Sequence, residues 1–190
     1  MNQLTKSFFE KPTIDVAKNL LGCYISHKGM LGKIVETESY LQDDEASHSH
    51  RGKTHRNAAM FEDAGKSYVY FTYGMYHCFN ITTAEKEKGE AVLIRAVEPI
   101  KGIDKMKQNR PKAKTTKDLT NGPSKFTMAF GIKKEHNMIN LLAKNSPIKL
   151  YLPNKKENFK IVQTTRIGIT KGAELPHRFY IKENEFVSRL

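Results

Sequence analysis

Arg95 interrupts an apolar run, AVLIRAV at residues 91–97, that otherwise reads as a buried strand. A cation there is costly unless a carboxylate or phosphate partners it. The fold must therefore bring an anion to Arg95. A structural ion pair would satisfy that demand, and so would an active-site carboxylate.

The chain around this run is punctuated mainly as strands. After a helix expected over Thr13 to Leu21, with an acid in its first turn and Gly22 to stop it, strand signals follow. They cover Cys23 to His27, Leu31 to Tyr40 across a tight turn at Lys28 and Gly29, Ser67 to Tyr73, Met75 to Thr82 and Ala91 to Val97. A helix is expected after Pro99, with Ile103, Met106 and Arg110 on one side. Another should open at Asn121, Gly122 and Pro123, where proline at the first helical position needs no amide donor. Ile148 to Leu152, Phe159 to Ile169 and Arg178 to Lys182 again read as strands. No repeat or Pro/Ser-rich linker divides the 190 residues, so one α+β domain over 1–190, built on a largely antiparallel sheet, is expected.

Charge narrows the partners. Thirty-two basic against 20 acidic residues leave +12, which favours a polyanion because each neutralised phosphate releases counterions. Residues 101–134 hold ten Lys or Arg against Asp104 and Asp118; such a run is commonly a solvated face. The opposite exception is Glu36, Glu38, Asp43, Asp44 and Glu45, acids with no base among them. Carboxylates repel phosphates, so this segment must do something other than grip a nucleic-acid backbone. No stretch approaches the roughly 18 apolar residues of a membrane span, and the start, MNQLTKSFFEKP, carries no long apolar run. A cytoplasmic protein that does not engage membranes is expected. Cys23 and Cys78 lack CxxC spacing and read as reduced packing residues.

Alternation in IVETESY places Ile34, Glu36, Glu38 and Tyr40 on one face. From spacing alone, exposed strand glutamates are the commoner case. A buried carboxylate could instead stabilise positive charge on a sugar whose glycosidic bond is breaking and take a proton from attacking water. His48, His50 and His55 invite a metal reading, but they lack HExxH spacing and suit a polar pocket edge equally well. SYVYFTYGMYHCFN carries Tyr68, Tyr70, Tyr73 and Tyr76; such rings are ordinary in strands, yet they also stack on bases at roughly 1–3 kcal/mol each. Asn80, Ile81 and Thr82 spell a glycosylation acceptor, which is taken as accidental.

VETESY, DEASHS, THRNAAMF, YVYFTYGMYHCFNI, AVLIRAVEP, NGPSK and the late TRIG and RFY strings together resemble the ordered blocks of the alkyladenine (3-methyladenine) DNA glycosylase family. The resemblance spans about Phe8 to Tyr180. It implies a single α+β domain with a curved antiparallel sheet, acting on double-stranded DNA containing damaged purines; no metal or cofactor is expected, and a protein that tracks one lesion can work as a monomer. By the same match Glu38 is the general base that activates water, Arg95 helps hold that water, and Ile167 offers it a backbone carbonyl. Tyr40, His48 and Tyr70 would enclose the flipped base, with Ala46 and His48 bonding its edge through their backbones. Tyr73 would be the wedge filling the vacated stack, Met75 the neighbouring minor-groove contact, and Asn80 the side chain that crowds out normal guanine. Lys125, at the start of the expected helix, is assigned a DNA contact. Two departures stand out: the stretch from Tyr40 to His48 is one residue shorter than the pattern, and His77 replaces an aromatic.

Two other classes fit parts of the sequence. A metal-dependent nuclease would gather the acids of residues 36–45 and nearby histidines around a divalent ion. A basic, non-catalytic nucleic-acid-binding module would explain the lysines and aromatics, and leaves the pairing of Glu38 with Arg95 without a purpose.

Overall fold

The computed structural model describes all residues except Tyr73, Lys156 and Leu190. Two short helices, α1 (Lys6–Phe9) and α2 (Thr13–Asn19), lead into a hairpin of β1 (Tyr24–His27) and β2 (Met30–Tyr40). The turn between these strands has φ of 47° at Lys28 and 81° at Gly29, the two left-handed residues that match a hairpin to strand twist. After a long loop come β3 (Ser67–Thr72), β4 (Tyr76–Thr82) and β5 (Ala91–Lys101), then α3 (Ile103–Asn109) and α4 (Pro123–Phe130). Three strands complete the chain: β6 (Ile148–Tyr151), β7 (Ile161–Thr164) and β8 (Arg178–Ile181). Helix α1 escaped the sequence reading because four residues carry too little periodicity to register.

All eight strands join one curved, antiparallel sheet in a mixed α+β architecture, as expected. Its order is β3-β4-β5-β2-β1-β6, and β8 attaches to β2 with β7 beyond it. Strand β2 is the hub. One edge pairs with β5 along its length; the other is shared by β1, at residues 30–33, and β8, at residues 36–38. Residues 34–39 are consequently buried without interruption, so both faces and both edges of this segment are covered.

The β2–β5 register shifts three times, once between Leu31 and Gly32 and then twice in mid-strand, where it slips and recovers. Ile34 pairs with Val97, Glu36 with Ala96 and Thr37 with Ile94, which leaves Val35 extra on one strand and Arg95 extra on the other. An extra residue re-aims side chains and raises local twist. Here the compensating pair places Arg95 on the same side as Glu36 and Glu38.

Helix α2 buries Val16 and Ala17, and Thr37 Oγ1 donates to the Ala17 carbonyl at 2.8 Å, fastening helix to sheet. Helix α4 has Pro123 in its first turn, and Gly131 (φ 66°) ends it in the left-handed conformation. Its Phe126 and Phe130 are fully buried, Phe126 meeting Phe79 of β4 edge-on at 6.3 Å between ring centroids. Two strand expectations change in length. Strand β5 continues to Lys101 through Pro99, tolerated because β4 pairs only with residues 91–93 and leaves that edge unpaired. The strand expected over 159–169 is only Ile161–Thr164; the chain beyond it leaves the sheet, turning at Gly168 (φ 79°).

Gly32 lies where β2 pairs with β5 beside Phe130 of α4, and a Cβ there would collide with Val97 Cγ1 and sit 3.1 Å from the Glu98 carbonyl. Gly32→Ala is expected to cost about 1–3 kcal/mol by overpacking, read as a lower midpoint in urea unfolding. His27, on β1, is buried with Nδ1 2.9 Å from the Pro147 carbonyl and its ring edge-on to His136 at 4.8 Å. Burial first, opposed by that carbonyl and aided by the charges of His136, Lys28 and Lys105, lowers its pKa below the usual histidine value. Below pH ~6.5 the unfolded chain then binds more protons than the folded one, so stability declines as pH falls toward the depressed folded value. Unfolding midpoints at pH 7.5 and 5.5 should show this loss, and His27→Asn should reduce it.

Candidate active site on the central strand

Glu36 and Glu38 are both 0 % exposed, so the expectation that spacing alone favours, solvent-facing glutamates, is overturned. The reason is β2's hub position, with β5 and β8 covering both edges. Each carboxylate is held by cations and backbone amides. Glu36 accepts from Arg178 Nη1 at 2.9 Å and from the Ser188 amide at 2.8 Å, and Arg95 Nε lies 3.3 Å away without hydrogen-bond alignment. Glu38 accepts from the Ile167 amide at 3.0 Å on one oxygen and from the Tyr40 hydroxyl at 2.8 Å on the other; Arg95 Nη1 is 3.2 Å from the first. The anion that Arg95 required is thus a pair of glutamates. Its own pKa is raised because the Glu38 and Glu36 charges outweigh the burial that opposes them.

Beside this cluster lies a cavity of about 400 Å³, a size typical of small-ligand sites. Glu38 does not itself line it. Tyr40, Arg95 and Ile167, its three holders, do. His48, Tyr70 and Asn80 form another part of the wall, with Ala46 at its side, so the expected base-enclosing residues converge on one space. The rings of His48 and Tyr70 are 4.6 Å apart, edge-on. His48 Nδ1 is 2.8 Å from the Tyr68 hydroxyl, and burial, aided by the Arg56 charge, lowers its pKa, favouring the neutral ring. Burial also raises Tyr40, Tyr68 and Tyr70; the Tyr68 hydroxyl is pushed up to about 12. Cys78, also on the wall, is a free thiol raised by burial, in keeping with the packing role expected of it.

The loop of residues 41–57 that carries Ala46 and His48 is internally tied. Asn57 Nδ2 donates to the carbonyls of His48 at 2.7 Å and Gly52 at 3.0 Å, and Asp44 Oδ1 accepts the Ala46 amide at 2.9 Å. Asp44 is also bound bidentately by Arg166, which donates to the carbonyls of Ser39 and Gly172. The guanidinium of Arg166 lies 4.7 Å above the Tyr40 ring. Sequence reasoning missed Arg166, Arg178 and Asn57; the two arginines join segments far apart in the chain, Asn57 ties its own loop by bonding carbonyls, and no local pattern announces either. The His48 carbonyl is partly committed to Asn57, and what Ile167 presents to Glu38 is its amide.

The remaining expected residues among those described lie on the β3–β4 hairpin and in α4. The β3–β4 hairpin turns at Gly74 (φ 68°), with Phe71 49 % and Met75 64 % exposed; the wedge expectation at Tyr73 falls outside the described residues. His77 stands 5.2 Å from the Phe71 ring across the hairpin and does the packing of the aromatic it replaces. Asn80 is 4 % exposed and donates to the Tyr68 carbonyl at 3.0 Å, an environment closed to a glycan. Lys125 donates to Asn121 at 2.8 Å in the first turn of α4, whose Pro123 and Ser124 touch the cavity. Among the described residues no three His, Cys, Asp or Glu side chains converge as a metal would require. The acids that a nuclease would gather are divided between arginines: Glu36 and Glu38 around Arg95, Asp44 on Arg166. No helix among the described residues is long and apolar enough to cross a membrane.

The chain matches the family model for methylpurine-DNA glycosylase over residues 7–185. Among curated proteins it is similar to one from Francisella tularensis subsp. tularensis, 52% identical over 100% of both chains. Others come from Carboxydothermus hydrogenoformans, 46% identical over 98% of both, and Methanoculleus marisnigri, 45% identical over 98% of both. All three carry the name "Putative 3-methyladenine DNA glycosylase". With a match along nearly its whole length and a buried Glu-Arg cluster beside an aromatic-walled cavity, the chain belongs to the methylpurine-DNA glycosylase family.

Proposed function

We propose that this chain, acting as a monomer and as one domain over residues 1–190, removes 3-methyladenine and related alkylated or deaminated purines from duplex DNA. It would do so wherever in the cytoplasm the DNA lies, by hydrolysing the bond between base and sugar. The observation that carries this reading is Glu38: a fully buried carboxylate held by Tyr40, Arg95 and Ile167, which themselves wall a cavity of about 400 Å³. A carboxylate has about four acceptor positions, so the two hydrogen-bond donors, the Tyr40 hydroxyl and the Ile167 amide, leave room for a water beside Arg95.

A base inside a duplex cannot reach such a cavity, and extruding it costs a few kcal/mol, least for a damaged or mispaired base. Tyr73 would fill the vacated stack and Met75, beside the turn at Gly74, would touch the minor groove, while Lys125 contacts the backbone. The extruded purine would lie among the faces of Tyr40, His48 and Tyr70, with the backbones of Ala46 and His48 at its edge. Electron-rich rings favour cationic alkylated purines, whose glycosidic bonds are also the weaker ones. As the bond lengthens, positive charge grows on the sugar. Glu38 opposes it and accepts a proton from the water attacking the anomeric carbon, with Arg95 and the Ile167 backbone aligning that water. The base departs with the bonding electrons and an abasic site remains. Neither a lysine Schiff base nor strand cleavage enters this sequence of steps.

Release of free 3-methyladenine from methylated duplex DNA by the purified protein, with chelator present, tests the reading. Glu38→Gln should lower turnover by about 10²–10⁴-fold and leave duplex affinity near that of the native protein. Free base from neither protein on alkylated, etheno or hypoxanthine substrates, with DNA still bound, would leave a binding module. Asn80→Ala should make undamaged guanine a measurable substrate, detected as guanine released from unmodified duplex.

A further inference from the structure

Arg166 does not line the cavity, yet it is tied to two of the three residues that hold Glu38, to Tyr40 through its guanidinium and to Ile167 through the backbone. It packs 4.7 Å from the Tyr40 ring, whose hydroxyl bonds one oxygen of Glu38. It is joined by one peptide bond to Ile167, whose amide bonds the other. Its two terminal nitrogens grip Asp44 in the middle of the stretch from Tyr40 to His48, the segment one residue shorter than the family pattern, and Asp44 in turn holds the Ala46 amide. Both members of the pair are buried, the Arg166 side chain completely. The other charged or titratable groups around this assembly are Arg95 and Glu36 behind Glu38, and His177, whose Nδ1 is 4.0 Å from Asp44.

We infer that Arg166, clamped on Asp44, is the positioning residue that sets both hydrogen-bond donors of Glu38 and the spacing between the two loops facing each other across the cavity. The inference rests on Glu38 being the general base. One planar group performs all of this: a bidentate bond to Asp44, two carbonyl contacts and stacking on a ring. Lysine, a point charge on a flexible stem, cannot make that set of contacts at once. Losing it frees the Tyr40 ring to turn and residues 165–168 to drift. Misplacement on the order of 1 Å at a reacting centre costs about 10²-fold.

The test is Arg166→Lys, with turnover at saturating DNA, duplex affinity and unfolding midpoint measured together, and Glu38→Gln run alongside. Turnover reduced by about 10–100-fold, with affinity and unfolding midpoint close to the native values, is the expected result. Native turnover overturns the inference, and so does a parallel fall of turnover, affinity and stability, which would mark a merely structural ion pair. Should Arg166→Lys not fold, Asp44→Asn decides by the same readouts, since it keeps the ring contact and removes the clamp. A Glu38→Gln that still turns over would remove the reading of Glu38 as base; a dead Glu38→Gln beside a fully active Arg166→Lys would remove only the role of Arg166.

Discussion

The structure is organised around four buried charges. Glu36, Glu38, Arg95 and Arg178 form an alternating cluster beneath the cavity, and no member could be buried alone at tolerable cost. This demand explains the arrangement of strands around them. Strand β2 supplies both acids, β5 delivers one arginine through a displaced register and β8 delivers the other, so three strands have to meet at one place. A sheet whose central strand were flanked only by its sequence neighbours could not do this. The cluster is weak evidence for stability, since an apolar substitute of equal volume often serves as well; its worth lies in fixing the direction of the Glu38 carboxylate.

Much of this was legible from the sequence, for reasons that differ between parts. Arg95 declared itself because a charge inside AVLIRAV violates the local pattern, and the demand for an anion followed from solvation alone. The strands were readable where alternation and turn residues agree, as at Lys28 and Gly29. The identity of the anion was not: spacing placed Glu36 and Glu38 on one face without telling which face water sees. That depended on β8 covering an edge from 140 residues away, a contact that leaves no local trace.

The cavity residues divide in the same manner. Tyr40, His48, Tyr70 and Asn80 were named from their match to family blocks and do surround one space, while composition alone would have assigned the tyrosines to strand packing, which is what Tyr68 does at 1 % exposure. Arg166 is unreadable because its partners include a carbonyl and a carboxylate far away in the chain, and Asn57 because its partners are carbonyls of its own loop. A sequence displays side chains, but the groups they hold are backbone atoms whose direction only the fold decides. The overlong strand expected over 159–169 has the same cause: Arg166 turns aside toward Asp44, against the apolar alternation around it.

One arrangement bears on how the molecule is made. Glu36 takes the Ser188 amide, 152 residues later in the chain, and Arg178 donates to the Arg189 carbonyl. A ribosome emits residues 36 and 95 long before residues 178–189 leave its tunnel. Throughout that interval the nascent hub strand holds its acids without Arg178, one of their two arginines, and without the Ser188 amide, a state that favours keeping that region open and hydrated. Closure of the buried cluster is therefore tied to residues 178–189, and a nascent chain that has not yet released them holds the hub strand's acids only partly neutralised.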